Sequence, residues 1–125
     1  MKKKDYQHGF EAKLKPVVEL LENYFSGELG NEIPTFSKPM TATKLVALIK
    51  NKLQYPKFHE SNLRDCVHQI REMGNIPMGS GTRGYFRIYN TEELQAVVRQ
   101  LESRSNKTMK IAVALRNFDQ SKFTL

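Results

Sequence analysis

Between Ser61 and Tyr89 the chain reads SNLRDCVHQIREMGNIPMGSGTRGYFRIY, and two different periodicities meet there within a dozen residues. Leu63, Cys66, Val67, Ile70 and Met73 recur at helical spacing, whereas Tyr85 to Tyr89 is a β-branched and aromatic run that alternates as a strand does. Ser61 is a good N-cap, because its hydroxyl can accept from one of the first unpaired backbone N–H groups. Gly74 and Asn75 tolerate the left-handed backbone that closes a helix, and Pro77 just beyond prevents its continuation. From there the chain is expected to be extended: a short strand at Ile76 to Met78, a glycine-rich turn over positions 79 to 84 with Arg83 at its tip, and a second strand.

With one face of this helix apolar, the opposite face carries Asp65, His68, Gln69 and Glu72, flanked by Asn62, Arg64 and Arg71. Such a helix packs on one side and can read something on the other. A helix followed at once by a hairpin is the sequence layout of a winged-helix module, with the hairpin as the wing. The expected fold class is α+β, mainly α: a winged helix-turn-helix with a two- or three-stranded wing sheet and a long C-terminal helix.

The rest of the chain is legible around that stretch. Residues 1–8 read as a frayed basic lead-in. From about Phe10 to Phe25 the positions Leu14, Val17, Val18, Leu21, Tyr24 and Phe25 form one helical stripe, with Glu19 and Glu22 expected on the wet side. Residues 26–40 hold too many glycines and prolines for a helix and read as a long loop, with room for a short strand around Ile33 to Phe36 that pairs with the wing. Thr41 or Thr43 can cap a second helix through about Leu53, with Leu45, Val46, Leu48, Ile49 and Leu53 inward and Lys44, Lys50 and Lys52 outward. Pro56 ends it, and Tyr55 and Phe58 are expected to plug the core before the next helix.

After the wing, Asn90 or Thr91 opens a further helix, with Glu92 and Glu93 at its positive end. Leu94, Val97, Val98, Leu101, Met109, Ala112, Val113 and Leu115 keep a roughly heptad stripe to about Asn117. The segment from Glu102 to Thr108 is polar, so either one helix passes through or two meet near Ser105-Asn106. No glycine or proline forces a break, which favours one helix of about 25 residues, longer than the roughly 11–12 of an average helix. A helix that long suits a partner, and Leu94, Val98, Leu101, Met109, Ala112 and Leu115 are the expected dimerisation residues. The resulting organisation is a lead-in at 1–8, a winged-helix domain at 9–90, a packing or dimerisation helix at 91–118 and a flexible tail at 119–125.

Charge narrows the partner. The 125 residues carry a net charge of +7 at pH 7. Residues 1–40 hold six basic and six acidic side chains, 41–90 eight and three, and 91–125 six and four, so the excess sits in the helix and hairpin region. Nucleic acid is the commonest anionic partner of such a domain. Phosphates would be held by Lys44, Lys50, Lys52, Arg64, Arg71 and Arg83, with Thr82 and Arg87 beside the wing, and bases read by Asn62, His68 and Gln69. Asp65 and Glu72 on the same face would be repelled by phosphate. They favour the alternative, a protein-interaction module in which a mobile element's inhibitor or adaptor meets an acidic host protein.

Other chemistries find little support. Cys66, the single cysteine, faces the core while His68 points away, so the two cannot share a metal ion. The chain has no P-loop, no GxSxG, no HExxH and no carboxylate pair set for metal-dependent cleavage, so neither an enzyme nor a cofactor is expected. There is no apolar run of about 18 residues and no signal-peptide core, so the expected setting is cytoplasmic, away from membranes.

The run LRDCVHQIREMGNIPMGSGTRGYFRIYNTEELQAVVRQLESR resembles the small winged-helix proteins of bacteriophage genomes. These share a Leu-Arg pair, an apolar helix, an Ile-Pro turn, a basic-Gly-Tyr wing strand, an acidic helix start and a long terminal helix ending in Leu-x-Ser-Arg. The resemblance extends over about residues 41–117. It implies that Arg64 stands at the start of the reading helix and that Arg83-Gly84-Tyr85 is the wing motif. It also implies a double-stranded DNA-binding protein of a replication or regulatory region, acting in a bacterial host cell. The 26–40 loop and the QYPKFHE connection depart from the compact members.

Overall fold

The computed structural model describes Tyr6 and residues 9–117. Most of the expected lead-in at 1–8 and the tail at 119–125 lie outside the described residues. The chain is mainly helical with one small antiparallel sheet, and it divides into two compact units, one ending at Asn90 and the other beginning at Thr91.

In the first unit a 3-10 turn, Ala12–Leu14, leads into α1, Lys15–Tyr24. The helix starts later than the Phe10 expected from periodicity because Pro16 occupies its first turn. Proline has no N–H to give and its ring clashes with the carbonyl four residues back, so the α-helix cannot extend upstream. Glu22, expected in water, is buried, and its carboxylate lies 3.4 Å from the Asn75 side-chain nitrogen.

Helix α2, Ala42–Leu53, is capped by Thr41, whose Oγ1 accepts from the Lys44 N–H at 3.2 Å. It ends on Gln54, the single non-glycine residue with positive φ among the described residues, at 52°. Helix α3, Glu60–Met73, is capped two residues earlier than the sequence suggests, by His59 rather than Ser61. The Asn62 side-chain oxygen accepts from the His59 N–H at 3.1 Å, and Ser61 Oγ lies 2.7 Å from His59 Nδ1. Gly74 closes α3 in the left-handed conformation at φ 70°.

The three helices bury Leu14, Val17, Val18, Leu21 and Phe25 against Leu45 and Ile49 and the Leu63, Cys66, Val67, Ile70 and Met73 stripe, with Phe58 plugging the junction. These residues leave water almost completely, at about 25 cal/mol for each Å² of apolar surface removed.

The hairpin pairs β1, Met78–Gly81, with β2, Gly84–Arg87, in the register Met78 to Arg87 through Gly81 to Gly84. Its loop is therefore the two residues Thr82 and Arg83, not the whole 79–84 stretch, because glycines retain the N–H and C=O groups a ladder needs. The preceding loop adds no strand at 33–36. It touches β2 at two places instead: Met40 and Tyr85 exchange both backbone bonds at 2.8 Å, and the Pro34 carbonyl accepts from the Arg87 N–H at 2.9 Å. Pro34 and Pro39 have no N–H, so a continuous ladder cannot form between those contacts.

In the second unit α4 runs unbroken from Thr91 to Arg116, with Glu92 and Glu93 in its first turn and Arg116 in its last, the charge order its dipole favours. No helix among the described residues is long and apolar enough to cross a membrane.

Candidate nucleic-acid interface

Helix α3 and the hairpin share the core through Met78, and one polar side chain of the helix bonds the hairpin directly. The Arg71 guanidinium donates from Nε to the Met78 carbonyl at 3.0 Å and from Nη2 to Ser80 Oγ at 2.9 Å. The sequence places Arg71 on phosphate, but it is half-buried and committed to β1. In a partly dry setting two charge-assisted bonds from one planar fork define both distance and angle, so helix and hairpin are fixed as one piece.

Three further expectations are corrected. Gln69, expected to read bases, is 1% exposed and cannot reach a groove. Asn62 uses its side-chain carbonyl to cap its own helix, which removes the acceptor half of its expected base contact. Arg87 is half-buried and donates from Nη1 to the Phe25 carbonyl at 3.0 Å, while its guanidinium stacks 5.6 Å from the Tyr89 ring centre. A cation at the carbonyl that ends α1 satisfies the negative pole of that helix and bolts it to β2.

What stays on the surface is Arg64, Asp65, His68 and Glu72 on α3, Lys44, Lys50 and Lys52 on α2, and Thr82 and Arg83 at the hairpin tip. His68 Nε2 lies 3.0 Å from Glu72 Oε1, one helical turn on. An exposed pair of that spacing contributes at most about 0.3–0.5 kcal/mol even with the imidazole charged, so it fixes neither side chain firmly. Arg83 donates from Nη2 to the Ser37 carbonyl at 3.3 Å, which ties the hairpin tip to the 34–40 loop.

Tyr85, read from the sequence as a strand residue, is half-buried beside the helix. Burial pushes its phenol above the ordinary range, and the positive charges of Arg71 and Arg64 pull it back, with Glu60 adding to the rise. The tyrosine's place in the Arg-Gly-Tyr triplet is the signal available in the sequence.

Gly84 explains that triplet. Its φ is 133°, and a Cβ there would fall on the Met40 carbonyl, 2.6 Å from its carbon and 3.0 Å from Thr41 Cα. Only glycine lets the start of α2 and the hairpin approach so closely.

Cys66 is buried, and its thiol is pushed up to about 12, first by burial and then by the charges of Asp65 and Glu11. Among the described residues no three His, Cys, Asp or Glu side chains come together as a metal site. On α4, Leu94, Val98, Leu101, Met109, Ala112 and Leu115 are all exposed. No family model matches this chain, and neither a curated protein nor a solved structure shows significant similarity to it.

Proposed function

We propose that the chain is a non-enzymatic, double-stranded DNA-binding protein of winged-helix type, serving a phage-type regulatory or replication region. The element order supports this reading: three helices, a hairpin directly after the third, and a loop that pairs with the hairpin's second strand as a third wing strand would. The observation that carries it is the Arg71 fork. It holds α3 and the hairpin as one rigid body, so exposed Arg64 and Arg83 are carried at a fixed separation, as contacts to a regular array of phosphates require. Arg64 leads α3 into the major groove with His68 as its base reader, Arg83 and Thr82 meet phosphate or the minor groove, and Lys44 holds the backbone near the start of α2.

A gel shift on random duplex at two salt concentrations tests this reading. Binding should weaken steeply with salt, and Arg64→Ala and Arg83→Ala should each reduce the salt slope by about one. Unchanged binding in both variants removes the site assignment.

The reading includes a homodimer through α4. Leu94, Val98, Leu101, Ser105, Thr108, Ala112 and Leu115 follow alternating steps of four and three, the seam of a two-stranded coiled coil. A second reading, docking on another protein, is favoured by the mixed charge of exposed Asp65 and Glu72 beside Arg64, which suits a protein surface better than a phosphate array; it would leave duplex DNA unbound at low salt.

A further inference from the structure

Beside the wing lies a small cleft of about 140 Å³ whose aromatic wall the groove-reading scheme does not use. One wall is apolar, built from Phe36, Pro39 and Phe86, and the other is the hairpin end from Gly81 to Gly84, with Arg83 among the lining residues. Phe36 is 57% exposed, yet it is not loose: Phe86 meets it edge to face, ring centres 5.3 Å apart and planes at 89°. That arrangement supports the Phe36 ring from behind while much of it remains open to solvent. The Ser37 carbonyl accepts from Arg83, tying the ring's own loop to the basic tip.

The cleft is well below the roughly 300–1,000 Å³ of small-molecule sites, so it suits a single planar ring and not a cofactor. A base on a nucleic acid always lies one sugar away from a phosphate, and among the described residues lining the cleft the one charged side chain is Arg83. From an aromatic platform, a pocket of one-ring size and a cation at the same edge, we infer that this cleft receives one unstacked nucleobase, stacked on Phe36, while Arg83 holds the adjoining phosphate. The inference rests on the DNA-binding reading and adds to it a preference for duplex that is locally unpaired, as at a melted or bulged site.

Two duplexes of the same sequence test it, one fully paired and one carrying a single unpaired 2-aminopurine nucleotide. The full chain should bind the bulged duplex about tenfold more tightly, the scale of one base stacked on an aromatic side chain. The 2-aminopurine fluorescence should change on binding. Phe36→Ala should bring the ratio of the two affinities to about one and abolish the fluorescence change, and Phe36→Trp, which keeps a ring, should retain both. Equal affinities in the parent chain, or a preference that survives in Phe36→Ala, would overturn the inference while leaving duplex binding in place. Failure of the parent to bind either duplex at low salt would instead overturn the DNA-binding reading itself, and this inference with it.

Discussion

Arg71 Nε stands 3.0 Å from the carbonyl oxygen of Met78, and through that bond the third helix governs where the hairpin lies. Replacing Arg71 with alanine removes both this bond and the one to Ser80, leaving a partly buried carbonyl unmatched. The expected loss is about 2 kcal/mol of stability, measured by urea unfolding. Arg71→Lys should recover less than half, because an ammonium cannot span both acceptors as a planar fork does. An Arg71→Ala protein as stable as the parent would show that helix and hairpin are held by packing alone.

Gly84→Ala should cost about 2–4 kcal/mol, since a positive φ and a collision with the Met40 carbonyl act together. Gly81, its partner across the same hairpin, has open space around its Cβ position. Gly81→Ala should therefore stay within about 1 kcal/mol of the parent by the same denaturant titration. Equal losses at the two positions would contradict the close approach of α2 and the wing.

The Cys66 thiol should be inert to Ellman's reagent in the native protein at pH 8, reacting only as fast as the chain opens. Its ordinary value of 9.0 is raised to about 12 by folding. Between those two pH values the unfolded chain gains a thiolate that the folded chain does not. Stability should consequently fall as pH rises from 9 toward 12, and Cys66→Ala should flatten that part of the pH profile, although the smaller side chain lowers stability at every pH.

Light scattering should report a dimer for the full chain. Leu101→Lys paired with Leu94→Lys places charge on the exposed seam of α4 and should yield a monomer without unfolding the first unit, which circular dichroism melting can follow separately. A monomer for the parent chain removes the dimer from the proposed function.

Much of this architecture could be read from local chemistry. The Gly74 stop, the Thr41 cap, the α3 stripe and the unbroken α4 each depend on residues close in sequence, so periodicity and capping find them. The errors share a different cause. Gln69 sits three positions after Cys66 and four before Met73, on the margin of the apolar stripe. Whether a marginal position is wet or dry depends on what packs beside it, and that is a tertiary fact. Arg71 lies on the other margin and Arg87 on a strand, and both read as DNA contacts because an arginine in a basic region suggests phosphate. Their acceptors, the Met78 and Phe25 carbonyls, lie 7 and 62 residues away along the chain. Phe36 is legible only as a loop aromatic, since its support by Phe86 spans 50 positions of sequence.

The pairing of Met40 with Tyr85 has a consequence for how the protein behaves in a crowded solution. A hairpin of two four-residue strands presents two raw edges, and on most proteins such edges invite a strand from a neighbouring chain. Here one edge is occupied by Met40 and by the carbonyl of Pro34, in a segment whose two prolines offer no N–H to extend the ladder. On the opposite strand the Met78 carbonyl is taken by the Arg71 guanidinium. The same contacts that orient the hairpin thus cover the outer edge of β2 and one acceptor of β1, which leaves a strand from a neighbouring copy less backbone to pair with.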